Sequence, residues 1–278
     1  MTRYISRLYC FISRQQVASE EMMKEYDRNK HLVNKPIKLE GKNENCVFLI
    51  HGWSSTSYEM YNLSQKLNSE GFSVHAPLLP GHGTQPSDLE NVSWEDWYNF
   101  VENEYLELKK RYKKVYVGGC SLGGNLSLLL AQKYKCISGI VLLGTPFKMK
   151  NEKINFFTTK FISWFRKYSK KYYPLKTRKK CGMNRLISYQ KFPIKSALEV
   201  FKTICKSREN LKLINQPVLI FQSDVDHLLD KNSIHKIHKS IKSPNKISKL
   251  VPNAYHNFIS NQAHSYIYDD IANFFKKH

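Results

Sequence analysis

From residue 46 to residue 143 the chain alternates between short, almost wholly apolar runs and longer segments whose apolar residues recur at helical spacing. The runs at 46–51, 72–76, 115–120 and 137–143 present no continuous polar face. Strands of that kind are covered on both sides, as in parallel sheets flanked by helices. The segments 58–70, 93–111 and 125–133 read as helices. Gly71 is a natural C-cap for the first, and Ser93 followed by Asp96 approaches a capping box for the second. The alternation stops at about Lys148. It resumes with an apolar run at 217–222, a helix at 230–241, a strand at 246–251 and a last helix from about 262 to 277. The pattern predicts an α/β fold, a mostly parallel sheet with helices on both faces and an insertion before the last two strands. The expected divisions are an N-terminal extension at 1–35 with no assigned structure, a core at 36–147 and 206–278, and an insertion at 148–205 that is helical in pattern.

Charge singles out the insertion. The 278 residues carry 44 Lys and Arg against 23 Asp and Glu, a net charge of +21. From Lys148 to Arg208 there are 18 basic residues and two acids, Glu152 and Glu199, so about +16 of that charge sits in one segment. An anionic partner is one implication; a compositional preference for lysine is the plainer one. No apolar stretch is long enough to span a membrane. Arg3, Arg7 and Arg14 interrupt the apolar residues of the N-terminus, which therefore lacks the core of a secretory signal, and a cytoplasmic protein is expected. The six cysteines (Cys10, Cys46, Cys120, Cys136, Cys181, Cys205) have no metal-ligand spacing and read as reduced, with Cys46, Cys120 and Cys136 buried in or beside core strands.

The candidate chemistry begins at Gly119-Cys-Ser-Leu-Gly123, a G-x-S-x-G elbow between an apolar strand and a helix. Such a turn lifts its serine above the sheet edge, and the glycines let tight backbone pass. A serine hydroxyl is a weak nucleophile until a base takes its proton, so Ser121 requires a histidine and an acid in later loops. The strand at 217–222 ends in Ser223-Asp-Val-Asp-His227, and the strand at 246–251 ends in Pro252-Asn-Ala-Tyr-His256. His256 is the expected base, with His227 as the other loop histidine. Asp226, deeper in its loop, is the expected acid, with Asp224 as the spare; Asp230 suits a helix cap. The oxyanion donors expected are the backbone N–H of Leu122 and of Trp53, the latter in the His51-Gly52-Trp53 loop. Cys120 points away from the substrate side of such an elbow. His82 in Pro80-Gly-His-Gly83 has no cluster of ligands around it and reads as a hydrogen-bonded loop histidine rather than a metal ligand.

Six motifs in order, LIHGW, LLPGHG, WEDW, GGCSLGG, QSDVD and AYHN, resemble the α/β-hydrolase superfamily, and within it bacterial carboxylesterases and monoacylglycerol lipases. The resemblance covers about residues 45–275. It implies the α/β-hydrolase fold and hydrolysis of carboxylic esters, short to medium acyl esters or monoacylglycerols, through an acyl-serine and without a cofactor or metal. It places nucleophile, acid and base on Ser121, Asp226 and His256, and the oxyanion donors on Trp53 and Leu122. It also implies that residues 148–205 form a cap. Thioester hydrolysis or acyl transfer would use the same triad, and a non-catalytic binding protein on the same shell is the reading from another class. The chain departs from the pattern in Cys120 at the elbow and in the strong basic charge of the cap.

Within the cap, Phe157, Phe161, Trp164, Phe165 and Tyr168 recur at helical spacing among Lys160, Arg166 and Lys167. Phe157, Phe161 and Trp164 are the residues expected to line an acyl pocket. The alternatives are that the basic cap rests peripherally on an anionic membrane, or that the helix is simply structural. Nucleic acid is not expected, because no binding motif accompanies the charge.

Overall fold

A computed structural model of the chain describes residues 20–172 and 182–278. Most of the expected N-terminal extension, Cys10, Cys181 and cap residues Tyr173 and Pro174 lie outside the described residues. The centre is a seven-stranded sheet in the order β1-β3-β2-β4-β5-β8-β9. Its strands are β1 (Ile37–Leu39), β2 (Asn45–Ile50), β3 (Ser73–Ala76), β4 (Lys114–Cys120), β5 (Ile140–Leu143), β8 (Val218–Ser223) and β9 (Lys246–Val251). Only β1 runs antiparallel to its neighbour; every other pairing is parallel. Strand β5 begins at Ile140, three residues later than its apolar run suggested.

Alternate residues of the central strands β2, β4, β5 and β8 enter different cores, as the two-residue period of a strand requires. Phe48, Ile50, Val115, Val117, Ile140, Leu142, Val218 and Ile220 belong to one apolar cluster. There they meet α3 (Trp94–Arg111), α4 (Leu122–Lys133) and α8 (Ser233–Ser240). Val47, Leu49, Tyr116, Val141, Leu143, Leu219 and Phe221 face the other way. They pack on α2 (Tyr61–Ser69) and α9 (Tyr266–Lys277). Two buried faces explain why the central strands carry no polar alternation. Ser93 caps α3 in a reciprocal capping box with Asp96.

The insertion between β5 and β8 is not wholly helical. It holds α5 (Glu152–Ile162), β6 (Tyr168–Lys170), α6 (Gly182–Ile187), β7 (Lys191–Pro193) and α7 (Ile194–Glu209). Strands β6 and β7 form an antiparallel pair. Helix α7 passes the expected boundary at 205 because its end is bonded to α4: Asn125 Nδ2 donates to Ser207 Oγ at 2.7 Å and Gln132 Nε2 to the Ser207 carbonyl at 2.6 Å. Within the expected extension, residues Glu20–Asn29 form helix α1. Its Glu25 is buried and accepts from Asn62 and Gln262. Cys46 and Cys120 are buried as expected, but Cys136, just past α4, is exposed. No helix among the described residues is long and apolar enough to cross a membrane.

Candidate active site

Ser121 lies between β4 and α4 with φ 52° and ψ −115°, a backbone conformation that non-glycine residues rarely occupy. The surroundings hold it there. A Cβ on Gly119 would come within 2.2 Å of the Gly123 carbonyl carbon, and one on Gly123 within 2.0 Å of the Ile50 carbonyl oxygen. The elbow thus requires bare backbone at both positions to lie against itself and against the end of β2.

The loops after β8 and β9 bring the other two groups to Ser121. Ser223 Oγ donates to the Ala254 carbonyl at 2.6 Å and ties the loops together. His256, 4% exposed, has Nε2 2.8 Å from Ser121 Oγ and Nδ1 2.8 Å from Asp226 Oδ2. Asp226 Oδ1 accepts the N–H groups of Leu228 and Leu229 at 2.8 and 3.1 Å. Burial opposes the ionised form of Asp226, yet the charge and hydrogen bond of His256 and these two N–H groups leave it more acidic than an ordinary aspartate. Burial likewise opposes the cationic form of His256, and the Asp226 carboxylate outweighs it, assisted by Glu59, so the imidazole is more basic than usual. Asp224 is exposed, and its N–H is bonded to the Val251 carbonyl. His227 stacks edge-on against Tyr255.

Leu122 is the first residue of α4, where backbone N–H groups have no partner within the helix. Trp53 follows β2 in the loop that abuts the elbow: a Cβ on Gly52 would lie 3.5 Å from Ser121 Cβ. Cys120 is fully buried in the core beneath, and burial pushes its thiol well above the ordinary range, the reverse of a reactive thiolate. His82 takes the Ser54 N–H at Nε2, with Nδ1 3.0 Å from the Pro80 carbonyl. Among the described residues no group of three or more His, Cys, Asp or Glu is gathered to hold a metal.

The expected acyl-pocket residues are not brought to this site. Phe157, Phe161 and Trp164 are 66%, 58% and 72% exposed. They form an outward aromatic group in which Phe161 contacts Trp164 and Phe165. The groove that Trp164 does line, with Glu90, Asn91 and Lys195, includes none of Ser121, Asp226 or His256. Helix α5 turns Phe156 inward instead, edge-on to Phe201 of α7. The cap side chain that meets the Trp53 loop is Phe192 of β7, 4.7 Å away between ring centroids, and the Tyr189 N–H donates to the Ser54 carbonyl at 2.8 Å. Neither residue carries a periodic signal. Sequence reasoning also missed Glu59, a fully buried carboxylate beside Gly52 and Asn257.

Known proteins share this architecture. A carboxylesterase of Bacillus subtilis is 27% identical over 244 residues, 87% of this chain and 96% of its own. A thermostable monoacylglycerol lipase from a Bacillus species is 28% identical over 232 residues, 84% and 90% of the two chains. Among solved structures, a metagenome-derived lipolytic enzyme superposes with a TM-score of 0.79 at 21% identity, over 88% of this chain and 98% of that one. Monoacylglycerol lipase from Paleococcus ferrophilus gives 0.70 at 20%, over 86% and 98%. The profile of the Hydrolase_4 family, described as serine aminopeptidase, S33, matches residues 41–263. With that match over most of its length, the chain belongs to the Hydrolase_4 family and is an α/β-hydrolase.

Proposed function

We propose that this chain hydrolyses carboxylic esters through an acyl-Ser121 intermediate. The observation that carries the reading is the unbroken hydrogen-bond chain from Ser121 Oγ through His256 to Asp226. His256 Nε2 takes the hydroxyl proton as Oγ attacks the ester carbonyl, then gives it to the departing alcohol. A water follows the same path in reverse and releases the acid. Asp226 holds Nδ1–H and stabilises the imidazolium between the two proton transfers. The N–H groups of Leu122 and Trp53 receive the developing oxyanion, a role worth roughly 3–4 kcal/mol for each donor. Short to medium acyl esters and monoacylglycerols are the proposed substrates, a choice supported by the names of the two Bacillus relatives. Thioester or amide substrates would pass through the same acyl-serine, so p-nitrophenyl esters, monoacylglycerols, an acyl thioester and an amino-acid amide belong in one panel. Loss of ester hydrolysis and of fluorophosphonate labelling in folded Ser121→Ala is expected; retained turnover would end this reading.

The reading extends to peripheral contact with an anionic bilayer. Ile154, Phe157, Phe161, Trp164 and Phe165 are all more than half exposed on one segment of the cap. Both of its acids are already paired, Glu152 with Arg208 and Glu199 with Lys202. With Lys153, Lys160 and Arg166 exposed on the same segment, the outward surface is apolar and positive, the combination that partitions into an anionic interface. Sedimentation with vesicles of phosphatidylglycerol in phosphatidylcholine, weakened by salt and by Phe157→Ser/Trp164→Ser, is the expected result. Failure to bind at low ionic strength would remove the contact and leave the ester chemistry standing.

A further inference from the structure

We infer that Glu59 is a positioning residue of the active site, clipping the Gly52–Trp53 loop to the His256–Asn257 loop through its two carboxylate oxygens. The inference rests on Ser121 and His256 being the reacting pair. Glu59 lies in the short helical turn Ser57–Met60 and is 1% exposed. Its Oε2 accepts the Gly52 N–H at 2.6 Å, and its Oε1 accepts Asn257 Nδ2 at 2.6 Å. Gly52 immediately precedes the Trp53 donor, and Asn257 immediately follows the base. One side chain therefore spans the loop that receives the oxyanion and the loop that carries the histidine, and the reaction needs those two groups in fixed relation.

The chemistry explains why a carboxylate occupies the place. Two donors converge from different loops, and each needs an acceptor. A carboxylate accepts at both oxygens, whereas a glutamine must turn its NH2 toward one of the donors. Burying an acid is costly unless hydrogen bonds and nearby charge offset it. Burial dominates here and raises the Glu59 carboxyl above the ordinary range; the Gly52 and Asn257 donors, His256 on the β9 loop and Lys171 of the cap oppose that rise, and Cys120 at the end of β4 has its own thiol raised further by Glu59. Glu59 in turn adds to the field that favours protonated His256. Its influence thus has two parts, geometry at the oxyanion loop and charge at the base. A residue that merely filled space would supply neither.

Glu59→Gln separates the two possibilities. Expected are a ten- to hundredfold loss of kcat on p-nitrophenyl butyrate, KM within threefold, an unchanged circular dichroism spectrum, and an acid limb of the pH profile displaced to lower pH. Wild-type kcat and an unmoved limb in Glu59→Gln would overturn the inference. Should Glu59→Gln fail to fold, Asn257→Ala removes one arm of the clip from outside: at least a fivefold loss of kcat supports it, and undiminished turnover overturns it. Histidine NMR titration in a Ser121→Ala background reads His256 without any turnover. There Glu59→Gln is expected to lower the His256 pKa, and no change overturns the inference even if Ser121 proves not to be the nucleophile.

Discussion

Asp226→Asn tests the acid at the level of single atoms. The substitution keeps the size of the side chain and removes one charge. The Asn oxygen can still accept the Leu228 and Leu229 N–H groups, which bond to Asp226 Oδ1 at 2.8 and 3.1 Å. That fixes the new NH2 where Oδ2 now stands, 2.8 Å from His256 Nδ1. A donor there forces Nδ1 to become the acceptor and moves the ring proton to Nε2, which faces Ser121 Oγ at 2.8 Å. The proposed base then points a proton at the hydroxyl it is proposed to deprotonate. In an established serine triad this exchange lowers kcat about ten-thousandfold, equivalent to about 5 kcal/mol of barrier. Asp224→Asn, two residues away, alters an exposed side chain, and a change of less than twofold is expected. The assay is kcat on p-nitrophenyl butyrate, with thermal unfolding to confirm that both variants fold. Activity of Asp226→Asn above one-tenth of wild type, or a larger loss in Asp224→Asn, would refute the assignment.

Other outcomes follow from the same geometry. Because the proposed base, His256, must be neutral to take a proton and its pKa is raised above the ordinary 6.5, kcat/KM should fall on the acid side with a midpoint above that value; a pH-rate profile checks it. The Asp226–His256 pair also ties stability to pH. The raised histidine contributes fully below about 6.5 and loses its contribution as pH rises through its folded value, while the lowered aspartate contributes above about 3.8 and loses it as pH falls through its own. Asp226→Asn should therefore depress Tm most between those two values, which a series of melts across pH measures. Gly123→Ala sets a methyl 2.0 Å from the Ile50 carbonyl oxygen, so a loss of about 3 kcal/mol or more is expected in denaturant unfolding. Trp97→Ala empties a fully buried site and removes one of two hydrogen bonds to the Pro80 carbonyl, from Nε1 at 3.1 Å, while His82 Nδ1 keeps the other, for about 3–5 kcal/mol by the same measurement.

The parallel sheet, its two covered faces and the elbow were legible in the sequence because each is a local rule repeated. A strand buried on both sides must be apolar at every position, and the turn at Ser121 must have glycine where backbone meets backbone. The order of Ser121, Asp226 and His256 was legible for a related reason, since each partner stands in the loop that follows a strand-like run, 217–222 for Asp226 and 246–251 for His256. Asp226 and Asp224 share one loop, however, and only the fold of that loop buries one carboxylate against His256 and leaves the other in solvent. Periodicity likewise revealed an apolar stripe on α5 without fixing its direction: it gives the angular spacing of side chains, whereas the neighbour, here Phe201 of α7, selects the face turned inward. Glu59 shows the limit most clearly. An acid in a run of Ser, Thr and Tyr reads as a surface residue. Its burial and its two donors come from loops 7 and 198 residues away along the chain, a convergence that only the tertiary structure creates.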